Sequence, residues 1–399
     1  MNTPDPVQNQ NKSPAVLVSG ASVAGLCTAY WLKRYGFNVT VVERTPRLRL
    51  GGQALDVRGP ALEVAERMGI LSALHGYSTK LAGMSVVDGE GREIYRNTER
   101  SLTGGRFDSP DIEVLRDDLC KVLYEAVGDD VEFLFGDYVT SIAQGEAGAN
   151  VEFAHAATRR FDLVVGADGL YSGIRRIAFG PDPQFLRFMG QHIAVFSIPN
   201  FLGLDHWEVL CQDSAAPGLM LATDKNSDAR TYLGFETTEP LDYDHRDIAA
   251  QKRLIAERYA GAGWEYPRIL SYMQEASDFY FYSANQVRME GWSRGRVVLV
   301  GDAGYSVTPA TGQGTSVAMV GAYVLAGELS LHKSTLEVGV SSYEDELRDY
   351  VARNLDAAVD MPDLGKSEES GNTEEPINIP DFGVLVQPID LKNYEAPIQ

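Results

Sequence analysis

The chain has 399 residues, 44% of them hydrophobic and 23% charged, an ordinary globular composition and enough length for one large composite domain or two interleaved ones. Its 56 acidic and 35 basic residues leave a formal charge of −21 with no Lys/Arg-rich block to offset it, which argues against nucleic acid and for small molecules as partners. Cys27, Cys120 and Cys211 form no CxxC pair, and no apolar run approaches the roughly 18 residues of a membrane span, so reduced thiols and a cytoplasmic protein free of membranes are expected.

In chain order, the polar first thirteen residues read as a loose leader, and the short apolar run at 15–18, ending at Gly20, reads as a buried parallel strand. A helix closed by Gly36 and a second strand at 37–43 follow, then a helix opened by Pro60 and stopped by Gly69. Residues 83–97 read as a hairpin around Asp88-Gly89. A helix is expected over 113–127, a strand over 131–135, and short alternating segments over 185–281 that suggest a mostly antiparallel sheet. A buried strand near 295–303, a long helix over 315–331 and a charged helix near 342–359 complete the α/β part. Beyond residue 361 there are eight acidic residues, two basic ones and several prolines, so that tail is expected to be extended or disordered, with VLVQPI as a segment able to dock.

Three motifs carry chemistry. Gly20-Ala-Ser-Val-Ala-Gly25 lies between a strand and a helix, where backbone amides and the helix dipole favour a pyrophosphate; Ser22 stands where a middle glycine is usual. Glu43, followed by Arg44, ends the second strand eighteen residues past Gly25, a position suited to ribose hydroxyls. Next comes DLVVGADGLYSGIRR with Asp168-Gly169, and then Gly301-Asp302-Ala303, Pro309 and Gly312-Gln313-Gly314, where a strand-end carboxylate precedes a glycine loop at a helix start. The six histidines, His75, His155, His192, His206, His245 and His332, have no paired metal-ligand spacing, and no GxSxG nucleophile elbow occurs.

With Arg116 in VLRDDL, these motifs resemble the class A FAD-dependent monooxygenases, the aromatic-hydroxylase family, over roughly residues 15–358. The resemblance implies an FAD-binding Rossmann-like domain with an interleaved, mostly antiparallel substrate domain and a C-terminal helix. The implied boundaries are 14–75, 105–180 and 286–335 for FAD, 76–104 and 181–285 for substrate, 336–362 for the helix and 363–399 for an acidic tail. It also implies bound FAD, NADPH or NADH as a transient co-substrate, and oxygenation of a small aromatic or polyketide-like molecule through a flavin C4a-hydroperoxide. Glu43 and Arg44 would meet the adenosine ribose, Arg116 the stretch from ribose to pyrophosphate, and Asp302 the ribityl or pyrophosphate part. Gly312, Gln313 and Gly314 would flank the isoalloxazine, with Pro309 beside it. Arg49 would lie near FAD and nicotinamide and, with Pro309, is expected to be catalytic, and Asp168 would have a mixed structural and cofactor role. Where many members have His, this chain has Tyr305, a departure on the FAD loop.

The substrate pocket is read from the residues alone. Tyr280 and Tyr282 alternate onto one face of a strand, His192 and Gln191 onto opposite faces, and His192, Tyr232, Tyr280 and Tyr282 are candidates for bonding a phenolic hydroxyl. Another flavin oxidoreductase, or a noncatalytic flavoprotein scaffold, is the alternative reading, and either a monomer or a dimer is compatible with the chain.

Overall fold

The computed structural model describes residues 13–101, 106–212, 218–222, 227–244, 246–308, 311–357 and 388–394. At its centre lies Ala15–Ser19, whose Val16, Leu17 and Val18 are fully buried, as a strand covered on both faces must be. It pairs in parallel with Leu163–Gly166 on one side and Asn38–Glu43 on the other. Val297–Leu299 and Glu132–Phe135 extend the sheet in parallel, and Ser293–Arg294 closes one edge antiparallel. The helices Val23–Arg34, Arg116–Val127 and Gly314–Leu331 pack together, with Leu336–Ala357 against the last of these. The helix expected from residue 113 begins only at Arg116. Ile112–Leu115 is instead a strand paired antiparallel with Ala54–Val57, because Ile112 and Val114 alternate into the core with period two.

The second sheet has seven strands in the order Tyr280–Val287, Leu186–Pro199, Asp228–Glu236, Gly218–Ala222, Trp207–Cys211, Gly83–Val87 and Glu93–Asn97. Its pairs are antiparallel except Trp207–Cys211 with Gly83–Val87. One face carries Phe196, Phe235 and Phe281 into a core with Ile255, Ile269 and Met273 of the helices Ile248–Arg258 and Tyr266–Glu275. His192 is fully buried on that face, opposite Ser283 and Phe235 in the strand register.

Gly314–Leu331 is long and apolar enough to cross a membrane, with a mean hydropathy of 1.3, contrary to the expectation that no run would be; its residues from Thr315 to Leu329 are buried in the core. Pro388–Tyr394 docks on the core: Pro388 and Ile389 end the VLVQPI segment read as able to dock, and the contact continues into Asp390–Tyr394, which was expected to be loose. Tyr394 packs edge-on against Tyr323 with ring centroids 5.2 Å apart, and its hydroxyl donates to the buried Glu328 carboxylate at 2.8 Å. Lys392 pairs with Glu328 at 2.9 Å and Glu346 at 2.7 Å, while its carbonyl accepts from Tyr323 and Arg67. Average composition hid this because Ile389, Leu391 and Tyr394 supply the apolar contacts one at a time. The rest of the tail lies outside the described residues.

Replacing Tyr394 by alanine should therefore lower unfolding free energy by roughly 3 to 5 kcal/mol, the usual cost of an aromatic cavity. Urea titration checks it; wild-type stability would show that the docked segment adds nothing to the fold.

Burial lowers the His192 imidazole from 6.5 to about 4, with Arg258 adding to the effect. Between those values the unfolded chain binds a proton that the native one refuses, so stability falls as pH drops from about 6.5 towards 4. Urea midpoints of wild type and His192→Phe across that window should converge on acidification.

Candidate functional site

A cleft of about 500 Å³ runs along the carboxyl ends of the first sheet's strands and reaches the second sheet. This is the position where open α/β sheets take ligands. At its floor Gly20 has φ +107°, and a side chain there would overlap the Ala167 carbonyl; one on Gly25 would overlap the Gly20 carbonyl. Strand, turn and helix approach closely because both positions lack Cβ. Ser22 adopts extended backbone that any residue tolerates, and its Oγ lies 3.7 Å from Cys120 Sγ. It makes no side-chain cap to the helix that follows, so the first amides of Val23–Arg34 keep their donors for a ligand.

Glu43 accepts from the Ala21 amide at 2.8 Å and from the Thr45 amide and hydroxyl at 2.9 Å, which holds its carboxylate beside the glycine turn. Arg44 is exposed at the same end, 4.8 Å over the Tyr138 ring. Arg116 is buried, and Nε and Nη2 donate to the Gly51 carbonyl at 3.0 and 2.7 Å, with Nη2 also reaching the Arg49 carbonyl at 2.7 Å. It thus shapes the loop that forms the cleft wall. Burial lowers its pKa, with Arg49 adding to the effect. Arg49 itself is exposed to the cleft, its guanidinium 4.6 Å over the Tyr280 ring.

Asp168 lines the cleft but accepts from the Ser172 hydroxyl and from the Ile174 amide at 3.1 Å, so it organises the start of Gly173–Ala178. Asp302 opens a helical turn, Asp302–Tyr305, and is exposed to the cleft; desolvation by the surrounding cleft walls raises its pKa against a bond from Ser306 that lowers it. Gly312 lines the cleft with φ +64°, and Gly314 heads the long helix with Gln313 buried at its N-cap. Pro309 lies outside the described residues. Tyr305 points away from the cleft, its hydroxyl 2.8 Å from that of Tyr343, so the departure from histidine serves the core.

Tyr280 and Tyr282 line the cleft, stacked with centroids 5.3 Å apart. Tyr232 shares their face by register, but its hydroxyl accepts from the Ala54 amide at 2.7 Å and ties the second sheet to the Ala54–Val57 strand without lining the cleft. His192 is also corrected. It sits one residue out of phase with the tyrosines, on the back face, among Phe188, Phe235 and Phe281. Sequence reading passed over three participants. Gln53 reaches the cleft with Oε1 buried and without a hydrogen-bond partner. Asp56 lines it while paired to Arg58 at 2.9 Å. Arg175 is fully buried and joins the Ala303 and Leu170 carbonyls to Asp182; its signal was the basic start of the GIRR helix. An uncapped helix start, a strand-end carboxylate, Gln53 and Asp302 together fit a flavin dinucleotide.

Residues 13–358 match the FAD binding domain family. An uncharacterized protein of Mycobacterium tuberculosis (strain ATCC 25618 / H37Rv) is 46% identical over 95% of this chain and 99% of its own. A flavin-dependent monooxygenase of Legionella longbeachae serogroup 1 (strain NSW150) is 36% identical over 86% and 87%. Among solved structures, tetracycline destructase Tet(51) superposes with a TM-score of 0.85 at 35% identity, covering 96% of this chain and 100% of its own. Klebsiella pneumoniae HpxO complexed with FAD and uric acid, 22% identical with a TM-score of 0.66 over 89% and 90%, shares the fold. The chain belongs to the FAD binding domain family and is an FAD-dependent monooxygenase.

Proposed function

We propose that the protein uses NADPH or NADH as electron donor and dioxygen as co-substrate to hydroxylate a phenolic, polyketide-like molecule bound against Tyr280 and Tyr282. The observation that carries this reading is the continuity of one cleft from Gly20 and Asp302 to the stacked tyrosines, so that a cofactor in the first sheet's crevice would abut an aromatic wall. The likeness to tetracycline destructase supports the substrate class, since tetracyclines are fused-ring phenolic polyketides.

When bound, FAD supplies the electron transfer and oxygen activation that no side chain can. The protein's own groups do the rest. Helix-start amides and Asp302 hold the dinucleotide, and the tyrosine rings keep water from the substrate end. On a chain of net charge −21 an anionic nicotinamide cofactor needs a local attraction, and Arg49 supplies one at the cleft with its head exposed.

Arg49→Ala should raise the KM for NADPH about tenfold and weaken its salt dependence, while FAD content stays unchanged. An unaltered KM would remove Arg49 from the nicotinamide site. Asp302→Ala deletes a charge-assisted bond of roughly 1.5 to 3 kcal/mol and should lower FAD occupancy after dialysis; full occupancy would leave Asp302 a structural residue. The reaction is tested by NADPH oxidation with tetracycline and simpler phenols under ¹⁸O₂. One labelled oxygen in the product is expected, and hydrogen peroxide alone with every compound would replace the reading with an oxidase.

A further inference from the structure

The ribbon formed by Ala54–Val57 and Ile112–Leu115 sends Ile112 and Val114 into the core and sets Asp56 directly opposite Glu113 in the strand register. Residues so opposed have Cβ atoms about 5 Å apart, and like charges there repel. Asp56 is buried at the cleft, and Glu113 is half-buried beside it. A single guanidinium faces the two: Arg58 pairs with Asp56 at 2.9 Å and is shared with Asp111 at 3.7 Å. Glu113 Oε1 accepts from the Thr79 hydroxyl at 2.8 Å. Desolvation, with the Asp56 charge adding to it, pushes the Glu113 carboxyl up to about 7, while Thr79 and Arg58 act the other way.

The pair supports the loop expected to flank the isoalloxazine. A Cβ on Gly312 would stand 2.5 Å from Asp56 Oδ2 and 3.0 Å from Arg58 Nη1, so the loop backbone rests directly on the ion pair. The helix that follows is fastened to the same strand end, since the Arg58 amide donates to Ser316 Oγ at 3.0 Å and Ser316 Oγ donates to the Asp56 carbonyl at 3.4 Å. Gly314, Thr315 and Ser316 bring no titratable group. From the second sheet comes Tyr232, whose hydroxyl accepts from the Ala54 amide at 2.7 Å; burial holds it protonated, and Arg230 and Glu208 are the other charged groups around it.

We propose that Asp56 and Glu113 share a proton site that fills when the cofactor beside Gly312 gains negative charge, so that reduction of the enzyme draws a proton from solvent. The inference rests on the placement of the flavin ring at Gly312–Gly314 and needs neither the substrate nor the nicotinamide. Above about pH 7 both carboxyls are ionised against one divided cation. Two electrons and one proton taken by the flavin leave it with a negative charge, which raises the proton affinity of a neighbouring carboxylate. Glu113 then takes one further proton from water: one O–H bond forms, no electron reaches the pair, and Asp56 keeps its bond to Arg58. The proton returns to solvent on reoxidation through Glu113, the more exposed member. At lower pH Glu113 already holds its proton in both redox states, so the uptake is confined to the neutral and alkaline range.

The FAD-loaded protein is titrated reductively against a reference dye across that range, with xanthine and xanthine oxidase as reductant. Each proton taken up with two electrons makes reduction tenfold less favourable per pH unit, about 30 mV for a two-electron couple. Above about pH 7 the wild-type midpoint should fall more steeply than that of Glu113→Gln, by up to this tenfold per unit. Glu113→Asp should restore the steep limb, and Asp56→Asn, which removes the opposing charge, should move it to lower pH. A merely structural Glu113 would alter FAD content or stability and leave the slope alone. Parallel lines for wild type and Glu113→Gln, or no recovery with aspartate, overturn the shared proton site while the oxygenase reading stands on its ¹⁸O₂ test. If the wild type retains no FAD, the flavin placement fails and the proton site with it.

Discussion

Three backbone segments crowd together at Gly20, and the dinucleotide cleft depends on that crowding. The carbonyl of Gly20 lies where a Gly25 side chain would go, and the Ala167 carbonyl where a Gly20 side chain would go. The Gly20 amide is meanwhile satisfied by Val42 at 2.8 Å. Helix Val23–Arg34 can therefore start directly against the ends of Ala15–Ser19 and Leu163–Gly166, with its first amides presented to the cleft. A single methyl at either glycine would push the helix from the sheet and take the anion-binding end with it. Glu43 reinforces the arrangement from the neighbouring strand by accepting from Ala21.

The second sheet works by its two-residue period. Tyr280 and Tyr282 face the cleft, whereas Phe281, Ser283 and His192 face the helices behind. One strand thus builds an aromatic wall on one side and, on the other, packs Phe281 into the core beside the Ser283–His192 contact. The bulge between Phe188 and His192 in the partner strand resets the register so that His192 meets Ser283.

Much of the first sheet was legible because its signals are local. A run of buried β-branched residues, a glycine turn and a terminal acid within thirty residues define strand, loop and helix without reference to the rest of the chain. The alternation of Tyr280 and Tyr282 was legible for the same reason, as was the split of Gln191 from His192. Which face looked into the cleft was not, because that depends on the pairing of distant strands and on where Ile255, Ile269 and Met273 choose to pack. Arg116 shows the limit at the cofactor end. Its motif placed it near the cleft, but its donors go to the Arg49 and Gly51 carbonyls, contacts some 65 residues away in sequence. Tyr394 shows it for the tail, where one buried ring outweighs an acidic average.

The loop carrying Arg49 is where the two sheets meet, and its fastening explains how an exposed cation can hold a fixed position. Arg116 takes the carbonyls of this loop, while Asp117 accepts from the Gly51 amide at 3.0 Å. From the other sheet, Asp278 packs 2.7 Å from where a Gly51 Cβ would sit, and is itself held by Arg230 at 3.0 Å and by the Ser197 amide and hydroxyl at 3.0 and 2.6 Å. Ion pairs this enclosed add little net stability, because desolvation cancels much of the attraction. Their directional bonds instead restrict the loop to one conformation, and with it the stacking of Arg49 on Tyr280. The charge that would greet a nicotinamide cofactor is thereby coupled to the ring that would greet the substrate, so displacement of either sheet against the other would disturb both encounters at once.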